Sequence, residues 1–337
     1  MSLERNFIRM SNSPNSQEKP QTSFRTRIGG QALIEGILMR GMTKQAIVVR
    51  APDGSLVIKE EELTLIKQKY PILGLPIIRG AVSFISSLVN GVRALMFSAE
   101  YYPDDPDAEN QEPSKFDKWL ESHFSDEKLT NFIVTFAVIL GVVLAIVLFF
   151  LLPTLLGTLV TFFTDKLIIR NVAEGVFRAA IFLIYMIACS QTKDMKRVFS
   201  YHGAEHKTIF CYERGLPLTV ENVREMPRHH PRCGTSFMVN VIIVSIIVSS
   251  IVFSIFQIRN ALLRMLAHLI LLPIIMGVTY EINTYCGRVD NKFTRAVAAP
   301  GLWMQNFTTN EPDDSMIEVA IKALELVIPE EKGSDAW

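Results

Sequence analysis

Residues 129–164 read LTNFIVTFAVILGVVLAIVLFFLLPTLLGTLVTFFT, 36 residues without an Asp, Glu, Lys, Arg or His. A helix needs about 20 such residues to cross the hydrocarbon core of a bilayer. No polar loop divides the stretch, so it reads as one long or tilted span, bent near Pro153 where the ring removes a helix donor. Three more apolar blocks follow, from about 172 to 192, from 236 to 258 and from 261 to 280. The last two are joined by only a few residues around Gln257–Asn260 and form a tight hairpin. The whole composition agrees: of 337 residues, 49% are hydrophobic, mean hydropathy is +0.25 and the formal net charge is zero. That is the composition of an integral membrane protein. It excludes a disordered chain, four cysteines exclude a disulfide scaffold, and the charge balance gives no sign of a nucleic-acid partner.

The polar residues inside the blocks are few. Glu174 and Arg178, four apart, are expected to pair and snorkel toward the interface. Arg264 lies near the start of the fourth block, and His268 inside it is expected to bond a neighbouring helix. Lys and Arg set the orientation. The connection 191–236 carries eight, against two between the first and second blocks and two at the hairpin. Four spans with the N-terminus, central loop and C-terminus in the cytoplasm satisfy these counts, and the lipid bilayer of the cell membrane is the first partner. The four cysteines then lie at or near a reducing side, where free thiols or metal ligands are expected rather than disulfides.

The remaining segments are expected outside the bilayer. Residues 1–27 read as a disordered polar tail with no apolar leader segment. Within 28–72, Gln31–Met39, Gln45–Arg50 and Ser55–Ile58, with a turn at Pro52-Asp53-Gly54, predict a small cytosolic β-hairpin or meander. Within 73–102, Ile78, Val82, Ile85, Val89, Val92 and Met96 recur at helical spacing. They predict an amphipathic interfacial helix, with a fifth span as the alternative. Residues 103–128 read as an acidic linker and short helix. The tetraspan domain covers 129–286, and 287–337 forms a C-terminal segment with a helix starting at Ser315, capped through Glu318.

Chemistry concentrates in the central loop, which holds four of the six histidines. In His202-Gly203-Ala204-Glu205-His206 the two imidazoles lie one helical turn apart and can reach one divalent ion, zinc being expected, with Glu205 as general base. H-x-x-E-H is the pattern of the inverted zinc peptidases. A second cluster, His229-His230-Pro231-Arg232-Cys233, ends where Thr235 or Ser236 would cap the third span. The metal set is therefore His202, His206, His230 and Cys233, with His229 as a further option; three ligands leave a position open for catalysis, four close the site. Cys233 as a nucleophile paired with His230 is a lesser alternative. Glu281, at the end of the fourth block, is either an arginine partner or a metal ligand.

Gly29-Gly30-Gln31-Ala32-Leu33-Ile34-Glu35-Gly36, Met39-Arg40-Gly41, the two histidine clusters, Pro300-Gly301-Leu302-Trp303 and Thr308-Thr309-Asn310-Glu311-Pro312-Asp313-Asp314 together resemble the YqhQ-like family of bacterial membrane proteins, over roughly 25–328. The resemblance implies a helical membrane fold built around a domain of unknown function. The family's usual label is that of a metal-dependent enzyme, without a substrate. Glu35, Arg40, Asp313 and Asp314 are expected in structural ion pairs or in the lining of a site. Two functions follow as expectations: a metal-dependent hydrolase acting on a membrane peptide or lipid-linked substrate, and a non-enzymatic scaffold or assembly factor with a structural His/Cys site, each engaging a membrane protein or peptide. Transport is weaker, because the first and third spans offer few polar side chains.

Overall fold

The structure is a computed structural model that describes residues 24–63, 70–101, 126–331 and 333–337. The acidic segment 103–117 and most of the expected polar tail lie outside the described residues. The end of that tail takes part in the fold, since Thr26 forms a β-bridge with Ala336.

The chain is mainly helical. Five helices are long and apolar enough to cross a membrane, one more than the four spans expected: Ile78–Ala99, Thr135–Phe162, Leu167–Ser190, Gly234–Ile255 and Ala261–Arg288. We label the helices α1 (Ile78–Ala99), α2 (Asp126–Ile146), α3 (Leu152–Leu159), α4 (Leu167–Ser190), α5 (Lys193–Glu213), α6 (Val220–Arg224), α7 (Gly234–Ile255), α8 (Ala261–Arg288), α9 (Lys292–Thr308) and α10 (Asp314–Glu325). The long first block is one continuous helical rod in which a π-turn, Val147–Leu151, joins α2 to α3. Pro153 has no amide to give the Phe149 carbonyl four residues back. Arg178 Nε of α4 donates to that carbonyl instead, at 3.1 Å, and Thr154 Oγ1 donates to the next one, Phe150, at 2.8 Å.

Glu174 and Arg178 do not snorkel; both are buried. The physical reason is Arg264, which is wholly buried and donates to Glu174 Oε2 through Nε at 2.9 Å and to Asn171 Oδ1 through Nη2 at 2.6 Å. Arg178 also meets His268 Nε2 at 2.8 Å and donates to Ser245 Oγ at 2.7 Å. His268 bonds the Arg264 carbonyl of its own helix as well as Arg178 of α4. All four apolar blocks are thereby tied through one polar network.

The β element is a four-stranded antiparallel meander, β1 (Gly29–Leu33), β2 (Gly36–Arg40), β3 (Lys44–Arg50) and β4 (Leu56–Glu62). Gln31–Met39 is not one strand: Leu33 pairs with Gly36, and the chain reverses at Ile34-Glu35, where Glu35 takes a positive φ of 50°. Both faces of the central strands are covered. Ile37, Met39, Ala46 and Val48 pack on Tyr201, Ala204 and Ile209 of α5 and on Ile317, Ala320 and Leu324 of α10. Leu33, Leu38, Ile47 and Val49 pack on Ala94 of α1.

Helix α1 therefore ends on the sheet. Its start lies against the C-terminal part of α8, where Arg79 grips Glu281 with two hydrogen bonds and Gly80 fits against Gly277 and Tyr280. Phe84 stacks on Phe237 near the start of α7. The predicted stripe of Ile78, Ile85, Val89, Val92 and Met96 points outward and is exposed, while Gly80, Gly91 and Ala94 face the protein. Helix α10 begins one residue before the predicted Ser315 and is capped by Asp313, which accepts the Met316 amide at 3.0 Å. Ser315 is spent on Asp313 and Glu318 on Arg50, so the expected capping box does not form.

Candidate metal centre

Helix α5 is separated from α4 by Gln191-Thr192 and ends ahead of Gly215, whose positive φ of 67° closes the helix. It carries His202, Glu205 and His206 on the side turned toward α7 and the α9–α10 connection. Cys233 is itself the N-cap of α7, in place of Thr235 or Ser236: its Sγ accepts the Thr235 amide at 3.4 Å.

These elements bring three donors together. One ring nitrogen each of His202 and His206 and the Cys233 Sγ all lie within 4.8 Å of one another. His202 Nδ1–H donates to the Thr308 carbonyl at 2.7 Å and His206 Nδ1–H to the Arg228 carbonyl at 2.5 Å. A carbonyl only accepts, so each contact fixes the ring and aims Nε2 at the centre, the arrangement that supports metal-binding imidazoles. His202 Nε2 is 3.1 Å from Cys233 Sγ. His206 Nε2 and Glu205 Oε2 are buried with no hydrogen-bond partner. Glu205 Oε1 accepts the Gly30 amide of β1 at 2.9 Å. Buried polar atoms without partners are costly, and a cation held by His202, His206 and Cys233 would satisfy His206 Nε2.

The electrostatics couple Cys233 to His202, and an ion bound there would displace the proton they share. Burial pushes the Cys233 thiol up, but His202 and His206 overcome it and hold it well below the ordinary thiol value. Burial pulls His202 down, but the Cys233 thiolate and Glu205 hold it up at about 9. Burial and the thiolate push the Glu205 carboxyl above its usual range, against the pull of both histidines and the Gly30 amide. A thiolate with two imidazoles is a borderline-soft set suited to zinc.

His230 is beside the set and not in it. Its ring centroid is 5.6 Å from that of His206, but Nε2 faces Glu213 at 3.6 Å and Nδ1 accepts the Arg232 amide at 3.4 Å. Burial, with Arg232 and His206, pushes it down to about 4. Gln305 grips its backbone from both sides, accepting the His230 amide at 2.7 Å and donating to its carbonyl at 2.8 Å. Cys233 thus faces His202, not His230. His229 bonds Arg228, and Glu281 is the partner of Arg79, away from the centre.

The other quoted motifs buttress this site. A Cβ on Gly30 would stand 2.7 Å from the Leu38 carbonyl and 2.9 Å from the Glu205 carboxyl carbon. A Cβ on Gly203 would collide with the Asn310 carbonyl. Glu35 pairs with Arg197 and accepts the Tyr201 hydroxyl at 3.1 Å; Lys207 pairs with Glu311 at 2.6 Å and Arg224 with Asp314 at 2.6 Å. Sequence reading misses the Thr308 and Arg228 carbonyls and the Gly30 amide, because backbone groups leave no residue-type signal; the motifs containing Gly30 and Thr308 are their only trace.

A family model described as a protein of unknown function (DUF1385) matches residues 75–330. The chain is 33% identical over 304 residues to the uncharacterized protein YqhQ of Bacillus subtilis (strain 168), covering 88% of this chain and 90% of that protein. No solved structure matches the chain.

Glu213, behind His230, gives a pH test. Burial raises its pKa, but His230 and Arg232 outweigh that and hold it below 4.5. A depressed carboxylate contributes stability that is complete above its unfolded value and is lost as pH falls through the lower folded value. Thermal unfolding of the wild type is expected to weaken on acidification below about pH 4.5, and Glu213→Gln is expected to be less stable at neutral pH with a flatter acid limb.

Proposed function

The chain belongs to the DUF1385 family of proteins of unknown function, the YqhQ-like family, and we propose that it is a membrane-embedded metal-dependent hydrolase. His202, His206 and Cys233 hold a divalent ion, zinc by its donor set. Glu205 is the general base, and the substrate is a membrane peptide or a lipid-linked ester. The observation that carries the reading is the convergence of one donor atom each from His202, His206 and Cys233, all within 4.8 Å of one another, with His206 Nε2 buried and unpartnered. An ion held there would supply Lewis acidity to a substrate carbonyl. Glu205, its Oε1 held by the Gly30 amide, would accept a water proton on Oε2 as the water oxygen bonds the substrate carbonyl carbon, and would give that proton to the leaving group as the ester or amide bond breaks. The Thr308 and Arg228 carbonyls keep both rings from turning. Cys233 caps a span-length helix, which favours a substrate drawn from the membrane boundary.

We read four spans with α1 on the membrane surface, in the plasma membrane, with the sheet and both termini cytoplasmic. This is supported by the named contacts of α1, all at the sheet end of the bundle, by its exposed apolar stripe and by the eight basic residues of 191–236. Single cysteines placed at Lys166 and Arg259 are expected to react with an impermeant thiol reagent in intact cells, and one at Lys322 only after permeabilisation. Labelling of the Lys322 position from outside reverses the orientation.

One observation favours a second reading, a structural site in a non-enzymatic scaffold. His206 and Cys233 are buried, and the centre ties α5, α7 and the end of α9 together. Metal content, thermal unfolding and ester and peptide turnover separate the two. The hydrolase reading expects about one metal per chain in the wild type and in Glu205→Gln, none in His202→Ala/His206→Ala, and turnover in Glu205→Gln lower by about 10²–10⁴-fold. A structural site expects Glu205→Gln to be silent while the double variant loses both metal and stability. A metal-free wild type, with the double variant equally stable, removes both readings.

A further inference from the structure

The polar network between α4 and α8 satisfies nearly all of its hydrogen bonds but not its charge. Three buried guanidiniums, Arg170, Arg178 and Arg264, face one buried carboxylate, Glu174. Arginine does not shed its proton in proteins, so the excess cannot be titrated away. Apart from Glu174, their partners are neutral: the carbonyls of Phe149, Ile258 and Arg259, the side chains of Asn171, Thr158 and Ser245, and His268. Unpaired charge at membrane depth is expensive and calls for a counter-ion.

The unmet donor is at one end of this network. Arg170 is buried, gives Nη1 to the Arg259 carbonyl at 2.8 Å and Nη2 to Thr158 Oγ1 at 3.0 Å, and its Nε–H has no partner. Arg259, on the α7–α8 hairpin, is exposed, and its guanidinium has no partner among the described residues. Nearby Asp165 and Lys166 offset each other in charge and are exposed. Arg170 is the fourth residue of α4, about 5 Å along the helix from its end by the 1.5 Å rise. That depth is the headgroup level of a leaflet; Arg259 is exposed there, its carbonyl is held by Arg170, whose Nε–H is buried and unpartnered, and guanidinium donors are what a phosphate group takes.

We propose that Arg170 and Arg259 form a phosphate-binding site at the end of the bundle away from the sheet, occupied by the headgroup of an anionic phospholipid that supplies the missing negative charge. The site lies at the far end of α4 from the His/Cys centre and does not depend on the metal reading.

The full chain is reconstituted in nanodiscs of phosphatidylcholine alone or with phosphatidylglycerol, and followed by thermal unfolding and by native mass spectrometry of retained lipid. Phosphatidylglycerol is expected to raise Tm by about 2–4 °C and to remain bound after delipidation. Arg259→Gln, whose side chain carries no internal contact, is expected to fold normally and retain about tenfold less of the lipid, the loss of one charge-assisted hydrogen bond. Thr158→Asp places a carboxylate against Arg170 and is expected to make Tm independent of lipid charge. Equal stabilisation by inorganic phosphate in neutral nanodiscs keeps the phosphate site and identifies its source as a soluble anion. A wild type indifferent to both phosphatidylglycerol and inorganic phosphate overturns the site. So does an Arg259→Gln and Thr158→Asp pair that responds to the lipid as fully as the wild type, since the response then belongs to bulk surface charge.

Discussion

Two backbone carbonyls, those of Thr308 and Arg228, take the Nδ1 protons of His202 and His206, and the architecture around α5 is arranged to keep them there. The Thr308 carbonyl ends α9 and holds its place because the following Asn310 amide bonds the Phe199 carbonyl of α5 at 2.9 Å. Gly203 lets that connection lie directly on α5. On the other side, Gln305 clamps His230 and so fixes the turn that follows Arg228. Loosening either support frees an imidazole to rotate, and the three donor atoms no longer converge.

The same economy of elements explains the sheet. Its central strands bury side chains on both faces, which binds α5 and α10 on one side and α1 on the other. β1 then delivers the Gly30 amide to Glu205, so a strand with no chemically reactive side chain near the centre still orients the carboxylate. The small residue at Gly30 is a condition of that contact, because a methyl group there would meet the carboxylate it serves.

Much of this is legible in the sequence, and the division is physical. The uninterrupted apolar run, the helical spacing of His202 and His206 and the cluster ending in Cys233 are side-chain patterns, and each corresponds to an element or to a donor at the centre. Glu35 misleads because a two-residue turn without Gly or Asn leaves no turn signal, so two strands read as one. Glu174 and Arg178 mislead because local spacing suggests a surface pair, whereas Arg264, 90 residues on, draws the carboxylate inward. His230 lies at a good ligand spacing from Cys233, but Glu213, distant in sequence, faces its outer nitrogen.

The central claim is that His202, His206 and Cys233 converge on one metal ion. Cobalt substitution tests it most directly, because a cobalt–thiolate bond has its own absorption. The account predicts a thiolate-to-cobalt charge-transfer band with the visible bands of a four-coordinate ion, the charge-transfer band vanishing in Cys233→Ser while the ion is still bound through the imidazoles. Cobalt that binds without a charge-transfer band, or a band that survives Cys233→Ser, would contradict it.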